Sequence, residues 1–146
     1  MTAMYAENWA VLDTYGSYIG GTAIAYQSFT VGVTHKVTSF ACLARYGNLV
    51  NNDELLVVNL KAANGSGEPT GSILATGSVI AYDAIIDPDG AWVNVPLTTT
   101  CVLTPGVYVV YFAIPTILVG DGPFLFATIG NNYPGGKYME YSGGTW

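Results

Sequence analysis

Run after run of this chain reads as extended backbone over five to ten positions, several alternating apolar and polar residues, with glycine, proline or asparagine turns between them. A period of two places successive side chains on opposite faces of an extended backbone. Residues 27–33 set Phe29, Val31 and Val33 against Ser28, Thr30 and Gly32, and residues 37–45 follow. Residues 55–62 set Leu56, Val58 and Leu60 against Val57, Asn59 and Lys61, and residues 91–98 set Val93, Val95 and Leu97 against Trp92, Asn94 and Pro96. Residues 73–82, broken at Gly77, and residues 107–114, 124–129 and 137–141 complete the set. Tyr46-Gly47-Asn48, Asn64-Gly65-Ser66-Gly67, Asp87-Pro88-Asp89-Gly90 and Thr104-Pro105-Gly106 punctuate it as turns, with Glu68-Pro69-Thr70-Gly71 as loop. No segment carries a sustained helical period with caps. Eight to nine antiparallel strands at this spacing predict an all-β sandwich or barrel.

A sandwich strand buries one face, and residues 55–62 fit that pattern with one wet face. Residues 107–114 do not: Tyr108, Val110, Phe112 and Ile114 share one face, and Val107, Val109, Tyr111 and Ala113 the other. Phe40 to Ala44 is nearly the same. The second face needs a cover, either another part of the chain or a neighbouring subunit. Composition makes the same point. The chain has 146 residues, 51% hydrophobic and only 10% charged, where soluble domains carry roughly 25% charged residues. The longest apolar run, 107–119, is interrupted by Pro115 and is too short for a spanning helix, which needs about 20 residues. The composition therefore predicts a component of an assembly.

Residues 1–21 stand apart, with Tyr5, Trp9, Leu12, Tyr15 and Tyr18 but no strand rhythm, ending at Gly20-Gly21. They read as an N-terminal arm that packs on its own sandwich or on a neighbour, the neighbour being favoured, ahead of one domain at 22–146. The first twenty residues hold no Lys or Arg, so no secretory signal is expected, and the protein is expected to stay where it is made or to leave by lysis. Assembly-interface candidates are Tyr5, Trp9, Tyr15, Tyr18, Val107, Val109 and Tyr111.

Several functions are disfavoured. The net charge is −6 with four basic residues in all, which leaves no surface to neutralise phosphates or anionic lipids. Two cysteines and one histidine make no metal framework. Cys42 and Cys101 lie in apolar strand-like runs and read as buried thiols acting as small hydrophobes, with a disulfide between them as the alternative. Any triad would need His35, a lone histidine between two strand runs, which reads as structural or exposed. The acids Asp53, Glu54, Asp87, Asp89 and Asp121 fall in turns and read as solvated loop charges, not as a glycosidase pair. After Asp87-Pro88-Asp89-Gly90 the calcium-loop spacing fails at Ala91. Gly65-Ser66-Gly67 lacks the lysine of a phosphate loop. Asn64-Gly65-Ser66 matches a glycosylation acceptor. Neither a catalytic residue nor a cofactor is expected.

From Thr22 onward the order of elements resembles a known family. Ile24-Ala25-Tyr26-Gln27-Ser28-Phe29-Thr30 looks like its opening strand, and Val37-Thr38-Ser39-Phe40 with the turn Tyr46-Gly47-Asn48 like the next. Leu74-Ala75-Thr76-Gly77-Ser78, Trp92 with Val93 and Val95, and Leu103-Thr104-Pro105-Gly106-Val107-Tyr108 follow in order. Tyr133-Pro134-Gly135-Gly136-Lys137-Tyr138 and Tyr141-Ser142-Gly143-Gly144-Thr145-Trp146 close it. The set is similar to the carbohydrate-binding-like jelly-roll modules of phage virion proteins and secreted bacterial glycan-binding proteins. The resemblance implies a jelly-roll β-sandwich and a non-enzymatic virion structural protein, a capsid decoration or tail-associated subunit on the particle surface, made in the host cytoplasm. Its partners would be copies of itself, a trimer being one form, and a major capsid or tail protein. The alternative is a glycan-binding adhesion module. Sugar faces stack on aromatic rings, and Asn132, Tyr133, Tyr138, Tyr141 and Trp146 are its candidates; the same aromatics serve equally as core or interface anchors. Such modules usually close on Ser-x-Asp-x-Gly-x-Thr-Trp, and the Asp is missing here, which puts any ligand or ion role of that position in doubt.

Overall fold

A computed structural model describes residues 16–18, 24–45, 55–80, 91–114, 124–126 and 138–141. Every element among them is a strand: β1 (Gly16–Tyr18), β2 (Ile24–Val31), β3 (His35–Arg45), β4 (Leu55–Ala63), β5 (Pro69–Ile80), β6 (Ala91–Leu103), β7 (Gly106–Ala113), β8 (Phe124–Phe126) and β9 (Tyr138–Tyr141). Pairing is antiparallel throughout, in the order β1-β8-β3-β6-β5-β4-β7-β2-β9. The described residues include no helix long and apolar enough to cross a membrane.

The six long strands β2–β7 form the body, and it is curled. β3 and β2 stand at opposite ends of that body, five inter-strand steps or about 24 Å apart if the sheet were flat. Yet the rings of Phe29 on β2 and Phe40 on β3 have centroids 6.1 Å apart. The sheet must bend until its two ends face each other. The β2–β3 connection, Gly32 to Thr34, spans that gap as an arch rather than a hairpin, and His35 Nδ1 donates to the Val33 carbonyl at 2.9 Å within it. This explains one departure from the alternation. Val33 keeps the phase of Phe29 and Val31, but the strand ends at Val31 and Val33 is 62% exposed.

The curl encloses one core. Leu56, Val58 and Leu60 of β4 meet Val93, Val95 and Leu97 of β6, Val110 and Phe112 of β7, and Ile114. The inward sets of β4 and β6 match the alternation. The outward residues of β4 differ from the expected wet face, because Val57, Asn59 and Lys61 are half-buried.

The seam between the two halves of the sheet lies at Gly77. There β5 and β6 share a single paired position, Gly77↔Leu97. β6 can reach it because it lets go of β3 locally: the register runs Ser39↔Pro96, then Val37↔Cys101, leaving a bulge on β6. A Cβ on Gly77 would lie 2.1 Å from the Pro96 carbonyl oxygen. The glycine expected to break β5 instead permits a close backbone approach to β6, and β5 is continuous. Residues 69–71, expected as loop, are its first residues. Pro69 and Thr70 pair with Ala63 and Ala62, and Gly71 at φ 67° absorbs the irregularity before Ile73. Residues 98–103 likewise belong to the same strand as 91–97.

Part of the segment expected as an arm is sheet. Gly16, Ser17 and Tyr18 pair with Phe126, Leu125 and Phe124. The rest of residues 1–21, and the turns at 46–48 and 87–90, lie outside the described residues. The turn at 64–67 is as expected: Gly67 N–H donates to the Asn64 carbonyl at 3.0 Å, with Gly67 at φ 83°. Both cysteines are free, Cys42 buried in the core and Cys101 half-buried beside it.

Candidate functional site

The face of β2, β7, β4 and β5 turned away from the core carries a continuous row of polar and aromatic residues. The register fixes it: Tyr26↔Tyr111, Tyr111↔Asn59 and Asn59↔Thr76. The next row is Ser28, Val109, Lys61 and Ile73. Exposure rises steadily across the face. Tyr26, Ser28 and Val109 are buried, Tyr111, Asn59 and Lys61 half-buried, and Thr76 and Ile73 exposed. The second apolar face of β7, for which the alternation demanded a cover, is thus already sealed at Val109 within the single chain.

Burial pushes the Tyr26 hydroxyl above the ordinary tyrosine range, with the negative Glu68 adding to the effect, and burial does the same for Tyr111. Both hydroxyls are therefore neutral at neutral pH, but Tyr26 is 1% exposed, so of the two only the half-buried Tyr111 is open to a ligand. Thr76 Oγ1 donates to the Val58 carbonyl at 3.2 Å, and Gln27 Nε2 donates to the Ser28 carbonyl at 2.8 Å. Such a face can form hydrogen bonds and stack. It offers no activated nucleophile. The Cys42 thiol is pushed up to about 12 by burial, and His35 sits at the arch. Among the described residues no three His, Cys, Asp or Glu side chains group to hold a metal ion.

The outward positions of β5 and β6 differ in kind. Ser72, Thr76, Ser78, Asn94 and Thr98 to Thr100 are exposed and uncharged. Among them stand large apolar side chains: Trp92 at 53% exposed, Ile73, Leu74 and Val102, with Leu55 on β4 and Val33 at the arch. Where side chains are described, only Lys36, Lys61 and Glu68 carry formal charge.

The structure places the expected interface residues unevenly. Val107 and Tyr111 keep part of their surface, but Val109 has none to offer a neighbour, because it is 0% exposed in the lone chain. Tyr18 takes its place in β1 opposite Phe124. Tyr5, Trp9 and Tyr15 lie outside the described residues. Of the glycan candidates, Tyr138 and Tyr141 occupy β9 in register with Gln27 and Ile24. Asn132, Tyr133 and Trp146 lie outside the described residues. Tyr26, Asn59 and Thr76 were not foreseen as a set; each occupies an alternate position of its own strand, and only the cross-strand register unites them.

No family model matches the chain, and comparisons with curated proteins and with solved structures found no similar one.

Proposed function

We propose that this chain is a non-enzymatic structural subunit, a jelly-roll β-sandwich that works by burying surface against copies of itself and a larger scaffold, as a decoration or tail-associated protein on a virion surface does. The sandwich reading draws on the division of strands about Gly77. β1, β8, β3 and β6 lie to one side, and β9, β2, β7, β4 and β5 to the other, joined among the described residues by one paired position and facing each other across the core. The virion setting draws on the resemblance of residues 22–146.

One observation carries the assembly reading. Val33 at the arch and Leu55, Ile73, Leu74, Trp92 and Val102 on strands nearly devoid of charge are between 44% and 63% exposed. Covering apolar area yields about 25 cal/mol per Å2 before the cost of association is subtracted. Size-exclusion chromatography with light scattering tests it. Native protein at micromolar concentration runs as a discrete oligomer, and Trp92→Ala or Ile73→Ser with Leu74→Ser shifts it toward monomer. A stable monomer for the unaltered protein would count decisively against the proposal.

Tyr111, Asn59 and Thr76, the accessible part of that row, favour one second reading, a glycan-binding module, since a neutral hydroxyl and an amide beside an aromatic ring suit sugar hydroxyls and C–H faces. A glycan array probed with the native protein and with Asn59→Ala and Tyr111→Phe separates the two. Binding lost in both variants supports the module, and absence of any bound glycan removes it.

A further inference from the structure

The hairpin joining β4 to β5 contains the triplet Asn64-Gly65-Ser66, which the assembly reading leaves unused. Its geometry is tightly specified around one side chain. Asn64 Oδ1 accepts from Ser66 N–H at 2.9 Å and from Glu68 N–H at 3.0 Å. Asn64 Nδ2 donates to Glu68 Oε2 at 2.7 Å. Asn64 N–H donates to the Glu68 carbonyl at 2.9 Å, and Gly67 N–H to the Asn64 carbonyl. The Gly65 N–H, by contrast, donates to no described residue, and beyond its two chain neighbours no residue comes within 4 Å of where a Gly65 Cβ would stand. Asn64, Gly65 and Ser66 are all exposed.

These are the reactants of an intramolecular substitution, with one of them restrained. An asparagine carboxamide carbon is attacked by the backbone nitrogen of the following residue. The new C–N bond closes a succinimide ring, and the side-chain nitrogen leaves as ammonia, carrying the proton lost by the attacking nitrogen. Water then opens the ring at either carbonyl, giving aspartate or isoaspartate; nothing is oxidised or reduced. A glycine after the asparagine leaves the nucleophile unshielded. Against this, turning the carboxamide carbon toward Gly65 N requires giving up three hydrogen bonds, and the one to Glu68 is charge-assisted and hence the strongest of them. We propose that Asn64-Gly65 is a spontaneous deamidation site, with Glu68 holding the reacting carboxamide in check.

The consequence follows from the same contacts. Conversion replaces the Nδ2 donor with a carboxylate oxygen facing Glu68 Oε2, and two carboxylates at that separation repel each other. The hairpin end loses its tie exactly where β5 begins at Pro69, and an isoaspartate product also lengthens the backbone inside the turn.

The test uses full-length protein held at mildly alkaline pH, with position 64 followed by peptide-mapping mass spectrometry. Folded native protein converts at Asn64 several-fold more slowly than the urea-unfolded chain. Glu68→Ala, at an exposed position, speeds conversion of the folded protein several-fold while its circular dichroism stays unchanged. Gly65→Ala, which meets open space, slows conversion both folded and unfolded. Equal rates in the native protein and Glu68→Ala overturn the restraining role. Folded Glu68→Ala that stays intact while the unfolded chain converts overturns the site itself.

Discussion

Gly77→Ala tests the account of the fold at its narrowest point. The added methyl carbon would lie 2.1 Å from the Pro96 carbonyl oxygen, 2.9 Å from the Pro96 carbonyl carbon and 3.1 Å from Leu97 Cα. All three are backbone atoms, so no side-chain rotation relieves the clash. A carbon–oxygen contact needs about 3.3 Å, which means β5 and β6 must separate by about 1.2 Å. Among the described residues the two strands pair only here, and a hydrogen bond stretched that far is lost. Overpacking costs about 1–3 kcal/mol, and a lost backbone hydrogen bond adds about 1 kcal/mol each. Leu97, Val95 and Ala75 lose core packing as the seam opens. We expect a destabilisation of about 3–5 kcal/mol, a large share of the 5–15 kcal/mol typical of a domain, and a fall in Tm of about 10–16 °C.

Urea and thermal unfolding followed by circular dichroism, at one fixed protein concentration, measure it. Two other glycines calibrate the result. Gly71→Ala meets open space but sits at φ 67°, so it carries only backbone strain, about 1–2 kcal/mol. Gly32→Ala meets open space with no such φ, so it stays within about 0.5 kcal/mol of the native protein. The expected order of damage is Gly77, Gly71, Gly32. A Gly77→Ala protein as stable as Gly32→Ala would refute the seam, and with it the curled arrangement of the two halves.

Three further outcomes follow from the same structure. Val95→Ala, at a site 0% exposed in the core, lowers unfolding free energy by about 1–3 kcal/mol by urea titration. A thiol reagent at mildly alkaline pH labels Cys101 and spares Cys42 until the protein unfolds, because Cys42 is buried with its thiol pushed up to about 12; mass spectrometry of labelled peptides reads this directly. Stability falls on the alkaline side. Cys42, Tyr26 and Tyr111 have folded values raised above ordinary values of 9.0 for the thiol and 10.0 for the phenols. The unfolded chain therefore gives up these protons first, and their contribution is whole below pH 9 and drains as pH rises toward 12. A flat urea midpoint from pH 8 to pH 11 would contradict this.

Local pattern made part of this fold legible and hid the rest. β4 and β6 each bury one set of alternate residues in a core whose direction is the same along the strand, so Leu56, Val58 and Leu60, and Val93, Val95 and Leu97, are readable from spacing alone. β7 is readable as a strand covered on both sides for the same reason. Gly77 was visible as an interruption, yet its purpose depends on Pro96, nineteen residues away, and nothing within the run 73–80 encodes that neighbour. Val33 has the right phase and the wrong place, because the arch that carries the chain across the sheet overrides alternation. The row Tyr26, Tyr111, Asn59 and Thr76 depends on three strand registers at once. Each register is set by hydrophobic matching over long sequence separations, so no single segment announces the row.

The scarcity of charge needs a finer interpretation than a greasy exterior. The outward positions of β5 and β6 are largely Ser, Thr and Asn, which hydrate well without ions. Hydroxyls and amides can keep a single chain wet. They supply no local like-charge repulsion between copies; the chain's net charge of −6 is carried by residues off β5 and β6. β5 and β6 themselves carry no charged residue, and where side chains are described formal charge stands only at Lys36, Lys61 and Glu68. Two such faces can approach without burying an unpaired charge, which is the expensive event in most accidental contacts. Trp92, Ile73, Leu74 and Val102 then provide the apolar area worth covering. Neutral polar ground with scattered large apolar residues is therefore a surface that tolerates solvent and admits a close neighbour, and it makes the lack of ions a permissive condition for packing rather than a defect requiring one.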